Sequence, residues 1–173
     1  NPATLVLKNT QTGVATSLYP AASSIPNNTG FAGGWMSDDG NVIAFVTVPT
    51  QVYLGAYSWR NTVPARIMVR NLATGSLTTL STDDGNTLNG EVILGHLNAR
   101  VSPDGRRLAF VSNSDDLVGG DFNNQADVFV RDLATGETTL ASSVDGTSPV
   151  LYVSGFQSYY NVEWVNNRSL QFS

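Results

Sequence analysis

The sequence predicts an all-β protein built from repeated four-stranded antiparallel sheets. Three observations carry this: a repeat of about sixty residues, period-two hydrophobic alternation within it, and turn residues at fixed places between the apolar stretches. Repeats come first because a fixed period dictates architecture before any local propensity does. Three segments align without gaps, Thr4 to Gly13, Arg66 to Gly75 and Asp127 to Gly136, and their closing glycines step by 62 and 61 residues. Between them Ser37-Asp38-Asp39-Gly40-Asn41-Val42-Ile43-Ala44-Phe45 matches Ser102-Pro103-Asp104-Gly105-Arg106-Arg107-Leu108-Ala109-Phe110, and Trp164 to Phe172 is a degraded third copy, with steps of 65 and 62.

Each element reads as a hairpin. Asp-Gly, Asn-Asn and Thr-Gly supply the positive φ that a tight turn demands. Leu5/Leu7, Ile67/Val69 and Val128/Val130 alternate, as do Ile43/Phe45, Leu108/Phe110 and Leu170/Phe172. Period two marks strands with a buried face. One unit is therefore four strands: a before the Asp-Gly turn, b after it, c carrying the Val-Phe-Val-Arg-Asp stretch, and d after Thr-Gly. Four-stranded antiparallel sheets in series are β-propeller blades.

The expected organisation is one propeller segment over 1–173. Residues 1–22 supply strands c and d of a split blade, 29–82 and 96–143 are full blades, and 156–173 supply strands a and b of a second split blade. Two full and two half blades make about three blade-equivalents, fewer than the usual four to eight. Cut blades would also leave unpaired sheet edges. A partner that completes the ring is therefore expected, either another copy of the chain or another chain.

Composition agrees. Of the 173 residues only 13% are charged, about half the usual share. Eleven Asp stand against three Glu, beside sixteen Gly and seven Pro, which suits turns rather than helical surfaces. The net charge is −5, and Arg106-Arg107 is the largest basic cluster, so no nucleic acid is expected as a partner. No apolar run reaches the length of a membrane span. There is no Cys, so no disulfide contributes.

The string Val101-Ser102-Pro103-Asp104-Gly105-Arg106-Arg107-Leu108-Ala109-Phe110-Val111-Ser112, followed by Asp127-Val128-Phe129-Val130-Arg131-Asp132-Leu133 and Thr135-Gly136, resembles the Pro-Asp variant of the WD-like repeat of TolB-type six-bladed propellers. The resemblance covers nearly the whole chain and weakens at both ends. It implies a fold more than a function, because such propellers serve as scaffolds, binding modules and enzyme domains. It also implies a bacterial protein that is secreted, periplasmic or at the cell surface.

In this strand order the b–c and d–a connections share one end of the blades, and function sits most often on that loop-rich end. The b–c loop of the third unit carries Asp121, Asn123, Gln125 and Asp127 at alternate positions, with Asp115 and Asp116 upstream. Alternate oxygen-bearing residues beside glycines are how short Ca2+ loops gather ligands. The same residues also suit an Asx-rich turn capping backbone N–H groups, and both readings stay open. The b–c loop of the second unit, Pro49 to Ala65, offers Tyr53, Tyr57, Trp59 and Arg60 as a glycan or protein surface, or as packing between blades. His96, the only histidine, precedes strand a of the third unit, and a structural position competes there with a ligand-facing one. Phe156, Tyr159, Tyr160 and Trp164 read as core. The repeated cation at Lys8, Arg70 and Arg131 reads as a structural pair or a solvated strand end.

No catalytic residue is assigned. No Gly-x-Ser-x-Gly elbow occurs, and one His with no Cys offers little for nucleophilic chemistry. The expected function is a non-catalytic binding or scaffold module that engages a protein or glycan. The alternatives are a propeller fragment of a larger enzyme and a structural subunit that completes a ring with a second chain.

Overall fold

Fourteen strands account for the regular structure in a computed structural model, which describes residues 5–18, 29–49, 51–53, 59–61, 66–80, 99–112, 117–119, 127–142 and 162–172. They are β1 (Val6–Lys8), β2 (Ala15–Ser17), β3 (Thr29–Met36), β4 (Val42–Pro49), β5 (Gln51–Tyr53), β6 (Trp59–Asn61), β7 (Arg66–Asn71), β8 (Leu77–Thr79), β9 (Ala99–Val101), β10 (Arg107–Ser112), β11 (Asp127–Asp132), β12 (Thr138–Leu140), β13 (Val162–Trp164) and β14 (Leu170–Phe172). No helix among the described residues is long and apolar enough to cross a membrane.

The fold class read from the sequence is the one observed: all-β, with four-stranded antiparallel sheets. One sheet runs β3-β4-β7-β8 and another β9-β10-β11-β12, while β1-β2, β5-β6 and β13-β14 are two-stranded. Both four-stranded sheets are meanders in chain order, and equivalent residues pair alike. Ile43 lies opposite Arg70 as Leu108 lies opposite Arg131. The β5-β6 ribbon is a structured excursion between β4 and β7, where the sequence suggested only a loop.

Alternation implied one buried face per strand, but the central strands bury two. Val42, Ala44, Val46, Ile67 and Val69 pack with Ala99, Val101, Leu108, Phe110, Phe129 and Leu140 of the next sheet. The intervening Ile43, Phe45 and Met68 pack with Leu5, Leu7 and Leu18 of the β1-β2 hairpin. Ala109 and Val128, on the far side of the β9–β12 sheet, pack with Val162, Trp164, Leu170 and Phe172. The order is hairpin, sheet, sheet, hairpin, with three apolar layers between them. In each unit the larger residues of strand b (Ile43/Phe45, Leu108/Phe110, Leu170/Phe172) face the preceding unit. Burial on both faces explains why β4 reads as a nearly unbroken apolar run.

The turns explain why Ser, Asp and Gly recur. In the a–b turns Ser37 Oγ donates to Asp39 Oδ1 at 2.6 Å and accepts from Val42 N at 3.0 Å. Ser102 does the same with Asp104 at 2.6 Å and Arg107 N at 3.0 Å. Gly40 and Gly105 take φ of 72° and 71°, a region open to glycine at no steric cost. In the c–d turns Asn9 Oδ1 accepts from Gln11 N and Thr12 N, and Asp132 Oδ1 from Ala134 N and Thr135 N. The third a–b turn is one residue shorter. Trp164 pairs with Leu170, six positions on, whereas Val101 pairs with Leu108, seven on. Asn166 closes it in the manner of the c–d turns, accepting from Arg168 N and Ser169 N at 2.8 and 2.9 Å.

These short turns lie at one end of the sheets and bond to one another. Leu72 N donates to Asn41 O and Leu133 N to Arg106 O, which ties the two turns of each sheet together. Asp38 N donates to Pro103 O at 2.9 Å across the sheets. Asp104 N and Arg107 Nη1 donate to the side-chain and backbone oxygens of Asn167 in the next hairpin.

Candidate functional site

The longer b–c connections leave from the opposite end, and Asp127 marks where one of them re-enters a sheet. It opens β11 opposite Ser112. Its side chain is buried, 3% exposed. Ser142 Oγ donates to Asp127 Oδ1 at 2.6 Å and accepts from Val128 N at 3.1 Å. Ala141 N and Ser142 N both donate to Val128 O. The start of strand c is thereby clamped to the end of strand d. Equivalent backbone bonds close the other units, Leu80 N to Ile67 O and Leu18 N to Leu5 O. The carboxylate–hydroxyl latch belongs to the third unit, because Arg66 stands in the second where Asp127 stands here.

The same loop is pinned by a residue that the sequence reading passed over. Leu117 is fully buried and joins the layer between the two four-stranded sheets, with Val118 packed against it. A lone apolar pair inside a run of Asp, Asn and Gly was the available signal. Leu117 and Asp127 are thus each fixed against the sheets, one by burial and one by its bond to Ser142.

Of the proposed Ca2+ ligands, Asp127 alone is described. Asp115, Asp116, Asp121, Asn123 and Gln125 lie outside the described residues, as do Tyr57 and His96, and the expected core residues Phe156, Tyr159 and Tyr160. Among the described residues no group of three or more His, Cys, Asp or Glu is placed to hold a metal. Tyr53 and Trp59 lie directly opposite each other in the β5-β6 ribbon, and Arg60 lies opposite Val52. The ribbon thus brings three of the four expected surface residues of this loop onto neighbouring strands.

A second feature missed in the sequence is Arg100. Its guanidinium carbon lies 4.5 Å from the ring centre of Trp35, a cation–π distance. Its carbonyl accepts from Trp164 Nε1 at 2.9 Å. Burial draws the Arg100 pKa below its ordinary value, and the charge of Glu163 opposes that shift. Trp35, Arg100 and Glu163 occupy equivalent positions on the first strands of three successive units, since each precedes by one the residue paired at the turn. Arg100 links the three units along that row. Of the repeated cations, Arg131 Nη1 donates to Thr138 Oγ1 at 2.8 Å, while Arg70 Nε is buried without a hydrogen-bond partner.

No family model and no curated protein matches this chain.

Proposed function

We propose that the chain is a non-catalytic β-propeller module that binds a protein or glycan through its loop-rich end. The observation supporting this is the stacking of equivalent four-stranded meanders in one constant orientation. Short mutually bonded turns gather at one end, and the long b–c connections leave from the other. Such a scaffold holds loops rigidly, which lowers the entropy cost of binding. The resemblance of the repeat to TolB-type propellers supports the same reading, and with it a secreted, periplasmic or surface location. In this reading the 113–126 loop, anchored by Leu117 and Asp127, gathers Ca2+ through Asp115, Asp116, Asp121, Asn123, Gln125 and Asp127. The 50–65 excursion offers Tyr53, Tyr57, Trp59 and Arg60 as the contact surface.

One experiment separates the two ends. The full chain and its Trp59→Ala, Asp121→Ala and Thr74→Ala variants are probed on glycan and peptide arrays, with Ca2+ and with chelator. Binding should fall at least tenfold in Trp59→Ala, weaken in chelator or in Asp121→Ala, and persist in Thr74→Ala at the short-turn end. Loss confined to Thr74→Ala would overturn the assignment of the binding end.

A further inference from the structure

The apolar layer between the two four-stranded sheets turns polar toward the short-turn end. Along strand c of the β3–β8 sheet Val69 gives way to Asn71, which lies opposite Val42. Along strand d Leu80 gives way to Thr78, which lies opposite Val69, and then to Ser76. On the facing sheet Phe129 gives way to Arg131. A cleft of about 200 Å3 lies where these polar positions meet. Val42, Val69, Leu80 and Leu133 form its floor. Asn71, Ser76 and Thr78 line it from one sheet, and Arg131 and Asp132 from the other. The residues around it are all among those described. Ser76 and Thr78 are exposed, although they share a strand face with the buried Leu80.

The two charged side chains are already engaged within their own sheet. Arg131 Nη1 donates to Thr138 Oγ1 at 2.8 Å, and its Nη2 is packed so closely on Gly136 that an added Cβ would meet it at 3.3 Å. Asp132 Oδ1 accepts from Ala134 N and Thr135 N. One cation and one anion also balance, so the lining offers no net charge. What remains is neutral hydrogen bonding. The Ser76 and Thr78 hydroxyls can each donate and accept, and the Asp132 carboxylate can accept further bonds. Asn71 uses its oxygen for Thr74 N at 3.0 Å, which leaves the donors of its NH2 group. A few convergent polar groups over an apolar floor make a small-molecule site.

This polar set belongs to one interface and does not follow from the repeat. One unit earlier, the equivalent positions hold Val14 for Ser76, Asn71 for Asp132 and Leu77 for Thr138. The cation there is Arg70, whose Nε is buried without a hydrogen-bond partner. A rim that only closed the layer would not need the hydroxyl, the carboxylate and the held guanidinium at a single interface.

We propose that the cleft between the c–d turns of the two four-stranded sheets binds one neutral sugar ring. A pyranose carries hydroxyls that both donate and accept around its edge, a C–H face to lie on Val69, Leu80 and Leu133, and no charge. Thr78, Ser76 and Asn71 meet its hydroxyls from one side and Asp132 from the other. Sites for drug-sized ligands run to roughly 300–1,000 Å3, so this smaller cleft takes a single ring, with a dissociation constant on the order of millimolar. The site lies at the end opposite the loop-rich surface, and needs neither that surface nor closure of a ring of blades.

The full chain is titrated with methyl glucoside, methyl mannoside and methyl galactoside, and followed by amide NMR spectra. At least one should saturably shift the amides of Asn71, Ser76, Thr78 and Asp132. Thr78→Val keeps a β-branched side chain at an exposed strand position and should weaken binding roughly fivefold. Ser76→Val, which reproduces Val14, should weaken it similarly, and Thr78→Trp, which fills the cleft, should abolish it. Thr139→Val, at the equivalent position of the next sheet and outside the cleft, should change nothing. Melting curves establish that each variant is folded. No saturable shift with any of the three rings would overturn the proposal, as would a shift that survives Thr78→Trp. Tighter binding of glucuronate than of every neutral ring would overturn the ligand class. Trp59→Ala separates the two ends. Sugar binding lost there and kept in Thr78→Val would leave the loop-rich surface standing and remove this site, whereas the reverse pattern keeps this site whatever becomes of that surface.

Discussion

At the residue scale the polar side chains of the short-turn end act as backbone caps, and three aspartates carry a signature of it. Asp39 is held below the ordinary value of 3.8 first by the Ser37 hydroxyl and then by Asn41. Asp104 is lowered first by Ser102, with Arg106 contributing through its N–H, and Asp132 by the N–H groups of Thr135 and Ala134. All three shifts are downward, so folding favours the carboxylate. The stabilisation is complete above the ordinary value and drains as pH falls from there through the lowered folded-state values. Asp39 is exposed and Asp104 and Asp132 are partly exposed, which keeps each effect small. The third a–b turn already uses Asn166 in place of an acid, so the amide fits such turns. The triple variant Asp39→Asn/Asp104→Asn/Asp132→Asn should therefore fold, lose a little stability at neutral pH, and flatten the fall in melting temperature between pH 5 and pH 3, at roughly the ordinary aspartate range. Melting curves across that range check it, and an unchanged acid slope would contradict the capping role.

At the element scale, the strands with local signatures were legible and those defined by their neighbours were not. Asp-Gly and Thr-Gly fix the turns because positive φ must fall at one place, and period two fixes the hairpins around them. The β5-β6 ribbon escaped because Gln51 to Asn61 has no Asx-Gly turn at its tip. The shortened third turn escaped because a gapless alignment hides a single deletion that Asn166 absorbs. Of the candidate site, Asp127 was legible as the residue that opens strand c, expected there as a Ca2+ ligand or an Asx cap rather than as a latch. Its partner Ser142 was not, because fifteen residues separate them and only pairing of β11 with β12 brings them together. Turn stacking is also non-local, and Gly105 shows how much rests on it. A Cβ there would come within 3.0 Å of Val42 Cγ2 on the neighbouring sheet and 3.4 Å of Ser37 Cβ, whereas at Gly75 it would meet nothing within 4 Å. Both glycines have left-handed φ, so alanine costs either site about 1–2 kcal/mol. Gly105→Ala adds a clash between sheets, and should destabilise by about 1 kcal/mol more than Gly75→Ala. Urea unfolding of the two variants measures the difference, and equal losses would mean that the turns do not press on each other.

At the scale of the whole molecule, stability resides in the layers between sheets, so a side chain in one sheet holds its neighbour too. Phe110 belongs to β10, is fully buried, and stacks on Phe129 with ring centres 5.7 Å apart. The layer it occupies includes Val42, Ala44, Val46, Ile67 and Val69 from the preceding sheet. Stacked units of this kind behave as nearest-neighbour chains, in which an interface term couples adjacent units. Truncating Phe110 removes a large ring from the centre of one such interface and should cost about 3–5 kcal/mol. If the sheets folded independently, the loss of amide protection would stop at β9–β12. Coupling through the layer instead requires β4 and β7 to lose protection alongside β10 and β11. The β1-β2 hairpin, which packs on the opposite face of the β3–β8 sheet through Ile43, Phe45 and Met68, should change least. Native-state hydrogen exchange on Phe110→Ala reads all three regions at once, and protection lost in the β9–β12 sheet alone would show that the stacked sheets stand by themselves.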